Sequence, residues 1–275
     1  MDIYSIIFYT IIFIIGTLFG SFYTLAVYRI PKGEDITHKY SYCPNCNHKL
    51  GFLDLIPVFS YIFLLGKCRH CKEKIRPRYL ILEILSGLFF IVMAILMNLN
   101  IYNLTIITIS EYIFMVLFFT FVILMAGIDK ENRKIEKSIS IYGMIISIIY
   151  MVYLCIIEGA SIYRYVIYLI LYIILLILDT ITLRKYAKST YINGILLTVV
   201  TMAIFTGEYV TINTIILVLL IISIYMLIKG LLKNSKKNRL KIQKEEKKEL
   251  PIGFYLGVSN ILNLIFVLLY TKIIT

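Results

Sequence analysis

Long apolar runs with short polar interruptions recur along this chain from Tyr4 to Thr275. A helix needs roughly 20 apolar residues to cross the hydrocarbon core of a bilayer. The pattern predicts spans at 4–28, 80–98, 108–127, 138–157, 163–182, 190–206, 210–229 and 252–270. The first run starts at the initiator and has no small-residue cleavage site before Arg29, so it reads as a retained anchor rather than a removed signal peptide. The expected fold class is therefore an all-α polytopic membrane protein of about eight transmembrane helices.

Composition agrees with the pattern. The chain is 60% hydrophobic and 16% charged over 275 residues, too apolar to hide its surface inside a soluble globule. The formal charge of +12 admits nucleic-acid binding until the placement of the basic residues is considered. With the N-terminus outside, the loops 29–79, 128–137, 183–189 and 230–251, with Lys229 at the edge of the last, hold 26 of the 28 Lys and Arg. Retention of Lys and Arg in the cytoplasm then predicts a multi-pass membrane protein with both termini outside. Topology accounts for the charge, so no nucleic-acid partner is expected. The stretch from Lys229 to Lys248 reads as a solvated linker lying against anionic headgroups.

Loop 29–79 carries the clearest chemistry. Cys43-Pro44-Asn45-Cys46 and Cys68-Arg69-His70-Cys71 are two Cys-x-x-Cys knuckles separated by 21 residues. Each supplies two sulfurs from one tight turn, and together they suit a tetrahedral, zinc-ribbon-like site. In a reducing cytoplasm these thiols serve a metal rather than disulfides. Four thiolates leave no open coordination position, so the zinc would be structural. The intervening segment from Gly51 to Tyr61 is apolar enough to pack against the membrane surface or the helix bundle.

A family resemblance runs through residues 16–90. Gly20-Ser21-Phe22, Tyr28-Arg29-Ile30-Pro31-Lys32-Gly33-Glu34, Cys43-Pro44-x-Cys46, Ile56-Pro57-Val58-x-Ser60-Tyr61, Gly66-Lys67-Cys68-Arg69-x-Cys71 and Pro77-Arg78-Tyr79-x-x-x-Glu83-x-x-x-Gly87 resemble the amino-terminal domain of type IV prepilin leader peptidases. The resemblance implies an integral membrane aspartic endopeptidase. Such enzymes remove the basic leader of type IV prepilins and pilin-like precursors at the cytoplasmic face. Many also N-methylate the new amino terminus, which implies S-adenosylmethionine as donor. On this reading residues 1–100 form the amino-terminal domain with the zinc loop, and residues 101–275 a membrane-embedded peptidase-like domain. Ala126-Gly127-Ile128-Asp129, followed by Arg133-Lys134-Ile135, is similar to the family's first catalytic aspartate and its surroundings. Leu250-Pro251-Ile252-Gly253-Phe254 resembles the turn that opens the family's last helix.

The catalytic half departs from the pattern. The second catalytic aspartate of the family lies in a Gly-x-Gly-Asp motif, which is absent here. Its best placement falls on Ile192-Asn193-Gly194-Ile195, where Ile195 replaces the aspartate, and residues 180–207 contain no acidic side chain. Aspartic peptidase chemistry uses two carboxylates, one as base toward water and one as acid toward the carbonyl oxygen. The candidates are Asp129 and, at the same expected depth, Asp179. Glu83 and Gly87 are the candidates for methyl transfer that the resemblance implies. Two alternatives stay open: a member retaining methyl transfer alone, and a non-enzymatic pilin-assembly or binding protein.

Overall fold

The computed structural model describes residues 2–37, 40–157, 159, 162–182, 187–233 and 250–274; within its helices, the side chains at 162, 164, 179–182, 187–190 and 229–233 are left undescribed. Seven long helices follow one another in these residues. They are α1 (Ile3–Arg29), α3 (Arg78–Leu96), α4 (Ile106–Asn132), α5 (Lys137–Ile157), α6 (Ile162–Thr182), α7 (Ala187–Lys233) and α8 (Ile252–Ile274). A one-turn helix, α2 (Phe59–Phe63), lies in the loop between α1 and α3.

Six helices among the described residues are long and apolar enough to cross a membrane; the described part of α6 adds a shorter apolar stretch, Tyr165–Leu178. The chain is thus a multi-pass, all-α membrane protein. Each predicted segment falls on helix, with Met97 and Asn98 just beyond the end of α3. The two segments at 190–206 and 210–229 belong to α7, which Gly207 interrupts with φ 81° and ψ 162°. An L-residue with a side chain rarely adopts that conformation, so glycine makes the break. The basic stretch 234–249 lies outside the described residues.

The chain divides into two compact units, Met1–Val116 and Leu117–Thr275. In the first, α1 packs on α3 through small residues. A Cβ at Gly16 would lie 2.8 Å from Gly87 Cα, and one at Gly20 only 2.7 Å from Glu83 Cα. Gly16-x-x-x-Gly20 is the spacing that lets membrane helices approach backbone to backbone, where van der Waals contact replaces the hydrophobic effect. Gly87 receives the ring of Phe13 and the methyl of Thr17 on the facing side.

The second unit is held by aromatic stacking and buried hydroxyls. The Phe205 ring lies between Phe118 and Tyr150, with centroids 4.8 and 4.6 Å away. The Tyr172 hydroxyl donates to Ser147 Oγ at 3.1 Å and pairs with Thr201 Oγ1 at 2.7 Å. Asn260, fully buried on α8, donates to the hydroxyls of Thr206 and Thr214. In lipid such side-chain bonds between helices are a main source of specificity.

Candidate metal centre and buried aspartate

The two knuckles fold alike. A one-pair β-bridge flanks each, Tyr42 with Lys49 and Lys67 with Lys74. In the first, the Cys43 amide donates to the His48 carbonyl at 3.0 Å and the Asn47 amide to the Cys43 carbonyl at 2.8 Å. In the second, the Cys68 amide donates to Glu73 at 2.8 Å and the Lys72 amide to Cys68 at 3.1 Å. Asn47 and Lys72, at matching positions, take positive φ of 55° and 58°. This turn swings the second cysteine of each pair back toward the first.

All four sulfurs lie within 4.8 Å of one another, and Cys43 Sγ stands 3.8 Å from Cys71 Sγ. A tetrahedral zinc with bonds of about 2.3 Å would place its sulfurs about 3.8 Å apart, so the donor set fits a four-thiolate metal ion. All four thiols are free of disulfides. Cys71 is held down to about 7, first by the Glu73 amide, with burial opposing and Asn45 and neighbouring thiols assisting. For Cys46 the His48 amide pulls downward, yet burial and the other three thiols together push it up to about 11. One thiol of the cluster is therefore ready to ionise near neutrality. His48 and His70 stack on each other with centroids 3.4 Å apart, and His38 lies outside the described residues.

Two charged residues that hydropathy marks only as helix-boundary polar groups tie this loop to the helices. Arg29 is buried, donating from Nη1 to the Asp35 carbonyl at 3.0 Å and from Nη2 to that of Tyr40 at 2.9 Å. Glu83, also buried, accepts the Val58 amide on Oε2 at 2.8 Å and the Ser21 hydroxyl. It thereby joins α1, α3 and the start of α2. Glu83→Ala would leave the Val58 amide without its acceptor, which costs about 1–3 kcal/mol. A lower thermal midpoint and faster proteolysis of the loop are expected, with Glu83→Gln, which keeps an acceptor oxygen, close to the parent; an unchanged Ala variant would contradict this assignment.

In the second unit Asp129 is fully buried near the end of α4. Its Oδ2 accepts the Phe254 amide at 3.0 Å, and the Gly253 amide and Tyr191 hydroxyl also bond the carboxylate. The carboxylate caps the N-terminus of α8, where unpaired amides and the helix dipole favour negative charge. A Cβ at Gly253 would come 3.1 Å from Oδ2, so a glycine is needed for this approach. Oδ1 has no hydrogen-bond partner among the described residues. Arg133, one turn on, adds positive charge nearby.

Tyr191 is the residue that sequence reasoning missed. Besides Asp129, its hydroxyl accepts the Ile252 amide at 3.0 Å. Within the segment laid against the missing motif, Gly194 takes the side chain of Ile135, with a Cβ there 2.9 Å from Ile135 Cβ. The only signal in the sequence was Tyr191 preceding Ile192-Asn193-Gly194. Asp179 lies on α6 with its side chain outside the described residues, and so is not brought to Asp129 by anything described.

These features define a polytopic membrane protein with a four-thiol cluster, suited to a metal ion, between its first two long helices and a buried carboxylate at the mouth of its last. Residues 14–97 match the bacterial peptidase A24 N-terminal domain. Among curated relatives, a prepilin leader peptidase/N-methyltransferase of Vibrio cholerae is 40% identical over 85 residues, covering 28% of this chain and 34% of that protein. One of the same name from Klebsiella pneumoniae is 31% identical over 100 residues, covering 34% and 44%. Another, from Bacillus subtilis, is 38% identical over 81 residues, covering 30% and 33%. The matches thus span less than half the length of these relatives. No solved structure matches the chain. The amino-terminal part of the chain is thus similar to the N-terminal domain of the prepilin leader peptidase/N-methyltransferase family, and its four cysteines, Gly20, Glu83 and Gly87 all lie inside the matched residues. Asp129, Asp179 and Tyr191 lie outside them.

Proposed function

We propose that the chain is a prepilin leader peptidase that removes the basic leader of type IV pilin-like precursors at the cytoplasmic face. The observation that carries this reading is a buried carboxylate, Asp129, in the segment that resembles the family's first catalytic aspartate. The amino-terminal domain, residues 1–100, holds zinc on Cys43, Cys46, Cys68 and Cys71 as a structural ion that closes loop 29–79. Residues 101–275 form the peptidase-like domain, with the basic loops in the cytoplasm and both termini outside. Asp129 takes a proton from the attacking water through Oδ1, the oxygen not used in capping α8, while Asp179 supplies the second carboxylate.

A second reading is favoured by a specific observation: Oδ2 of Asp129 already caps a helix, and residues 180–207 hold no acid. On that reading the chain is a peptidase-silent member that binds or assembles pilins, or transfers methyl groups only. The residues assigned to methyl transfer give S-adenosylmethionine no evident cradle. The Glu83 carboxylate is occupied by Val58 and Ser21, and the Gly87 face is filled by Phe13 and Thr17.

The two readings separate in a cell that lacks its own prepilin peptidase and accumulates unprocessed pilin. Expression of this chain is expected to restore the shorter, processed pilin on a gel. Pilin that stays unprocessed while membrane levels of the chain match those of a working relative would favour the peptidase-silent reading.

A further inference from the structure

The segment between the knuckles displays an apolar surface that no helix of its own unit covers. Phe52, Leu53, Phe59, Ile62, Phe63 and Leu65 are between 55% and 83% exposed. Solvated loops seldom carry so contiguous an apolar patch without something to meet it. Its presentation is imposed by the backbone. Val58 and Leu65, at the two ends of α2, take positive φ of 65° and 51°, a region that branched side chains rarely enter. The turn is locked by Gly66, whose amide donates to the Tyr61 carbonyl at 2.9 Å and whose missing Cβ admits the Tyr61 ring. Strain that holds Leu65 out at 83% exposure argues that the exposure has a use.

Charge and connectivity say what covers the patch. Loop 29–79 holds ten Lys and Arg against four acidic residues. Of those acids, Asp54 is bound to Arg69 at 2.9 Å. Lys67 and Lys74 pair across the bridge that follows Leu65, and both are exposed beside the apolar stretch. Both ends of the loop run directly into helices apolar enough to cross a membrane, α1 and α3. An apolar face rimmed by lysine and arginine, tethered at both ends to spanning helices, is the chemistry of an interfacial anchor on an anionic leaflet. A basic peptide leader would be repelled by the same rim.

We propose that the Phe52–Leu65 segment is a membrane-docking element that inserts its apolar side chains among the headgroups and upper acyl chains of an anionic leaflet. Lysines on its rim reach the headgroups while their stems lie over the apolar surface. Docking fixes the zinc loop against the bilayer beside α1 and α3. Leader cleavage and methyl transfer play no part in it.

The chain contains no tryptophan, which makes the test direct. Phe52→Trp and Phe63→Trp each place one fluorophore at an exposed patch position in the full-length protein. Each variant is reconstituted into phosphatidylglycerol or phosphatidylcholine vesicles, with and without brominated acyl chains. The expected result for both is emission at short wavelength, quenched by bromolipid and more strongly in phosphatidylglycerol. Long-wavelength emission quenched by aqueous iodide would overturn the proposal. Short-wavelength emission untouched by bromolipid would overturn it too, assigning the patch to a protein surface. Equal quenching in both lipids would overturn the part played by charge.

Discussion

Cys68→Ser in the full-length protein is expected to abolish stoichiometric zinc binding and open loop 29–79 to proteolysis, while Cys155→Ser changes neither. Cys68 is buried and its sulfur belongs to the cluster in which all four lie within 4.8 Å. The loop has little else to hold it. Among its described residues the regular structure is two isolated bridges and short helical turns, joined by bonds such as those of Arg29, Glu83 and the Asp54–Arg69 pair. Structural zinc contributes about 10–16 kcal/mol in zinc-finger peptides at neutral pH, against about 0.5–1.5 kcal/mol for a single hydrogen bond. Binding requires thiolates and so releases protons, which makes retention fall as pH drops. With its thiol near 11 in the metal-free loop, Cys46 must give up a proton on binding at neutral pH, whereas Cys71, near 7, is already partly ionised. Elemental analysis and limited proteolysis check the prediction. A variant that keeps one zinc per chain and a protected loop would contradict it.

Asp129→Asn is the second large effect, and the cap this residue forms and the catalytic role proposed for it predict a split. Asparagine caps a helix about as well as aspartate, so its side-chain oxygen should still accept the Phe254 amide and leave the thermal midpoint near that of the parent. Asp129→Ala has no acceptor and should lose about 0.5–2 kcal/mol, the usual worth of a cap. Leader removal should fall in both, by about 10²–10⁴-fold if the carboxylate is the base. Equal thermal loss in the Asn and Ala variants would show that charge, not capping, holds α8.

The helices were legible because lipid imposes one rule on every span, and that rule does not depend on which helix packs on which. Hydropathy also separated 190–206 from 210–229, although the structure joins them in α7 and breaks them at Gly207. The metal centre was legible because Cys-x-x-Cys is a local turn repeated twice. What escaped notice depends on distant residues. Arg29 looked like a boundary cation, yet the loop that follows folds back and buries it. Tyr191 is one of 23 tyrosines, and beyond its place before Ile192-Asn193-Gly194 nothing local marks it as the one that meets Asp129 and the start of α8. The positive φ of Val58 and Leu65 contradicts the local preference of both residues, so tertiary structure alone could reveal the presented patch.

Leader removal by the purified protein in liposomes, incubated with a type IV prepilin beside its Asp129→Asn variant and an active relative, is scored by mass spectrometry. The expected result is cleavage at the leader junction by the parent and its loss in the variant with the fold intact. An uncut prepilin under the parent, while the relative cuts the same preparation, would contradict it.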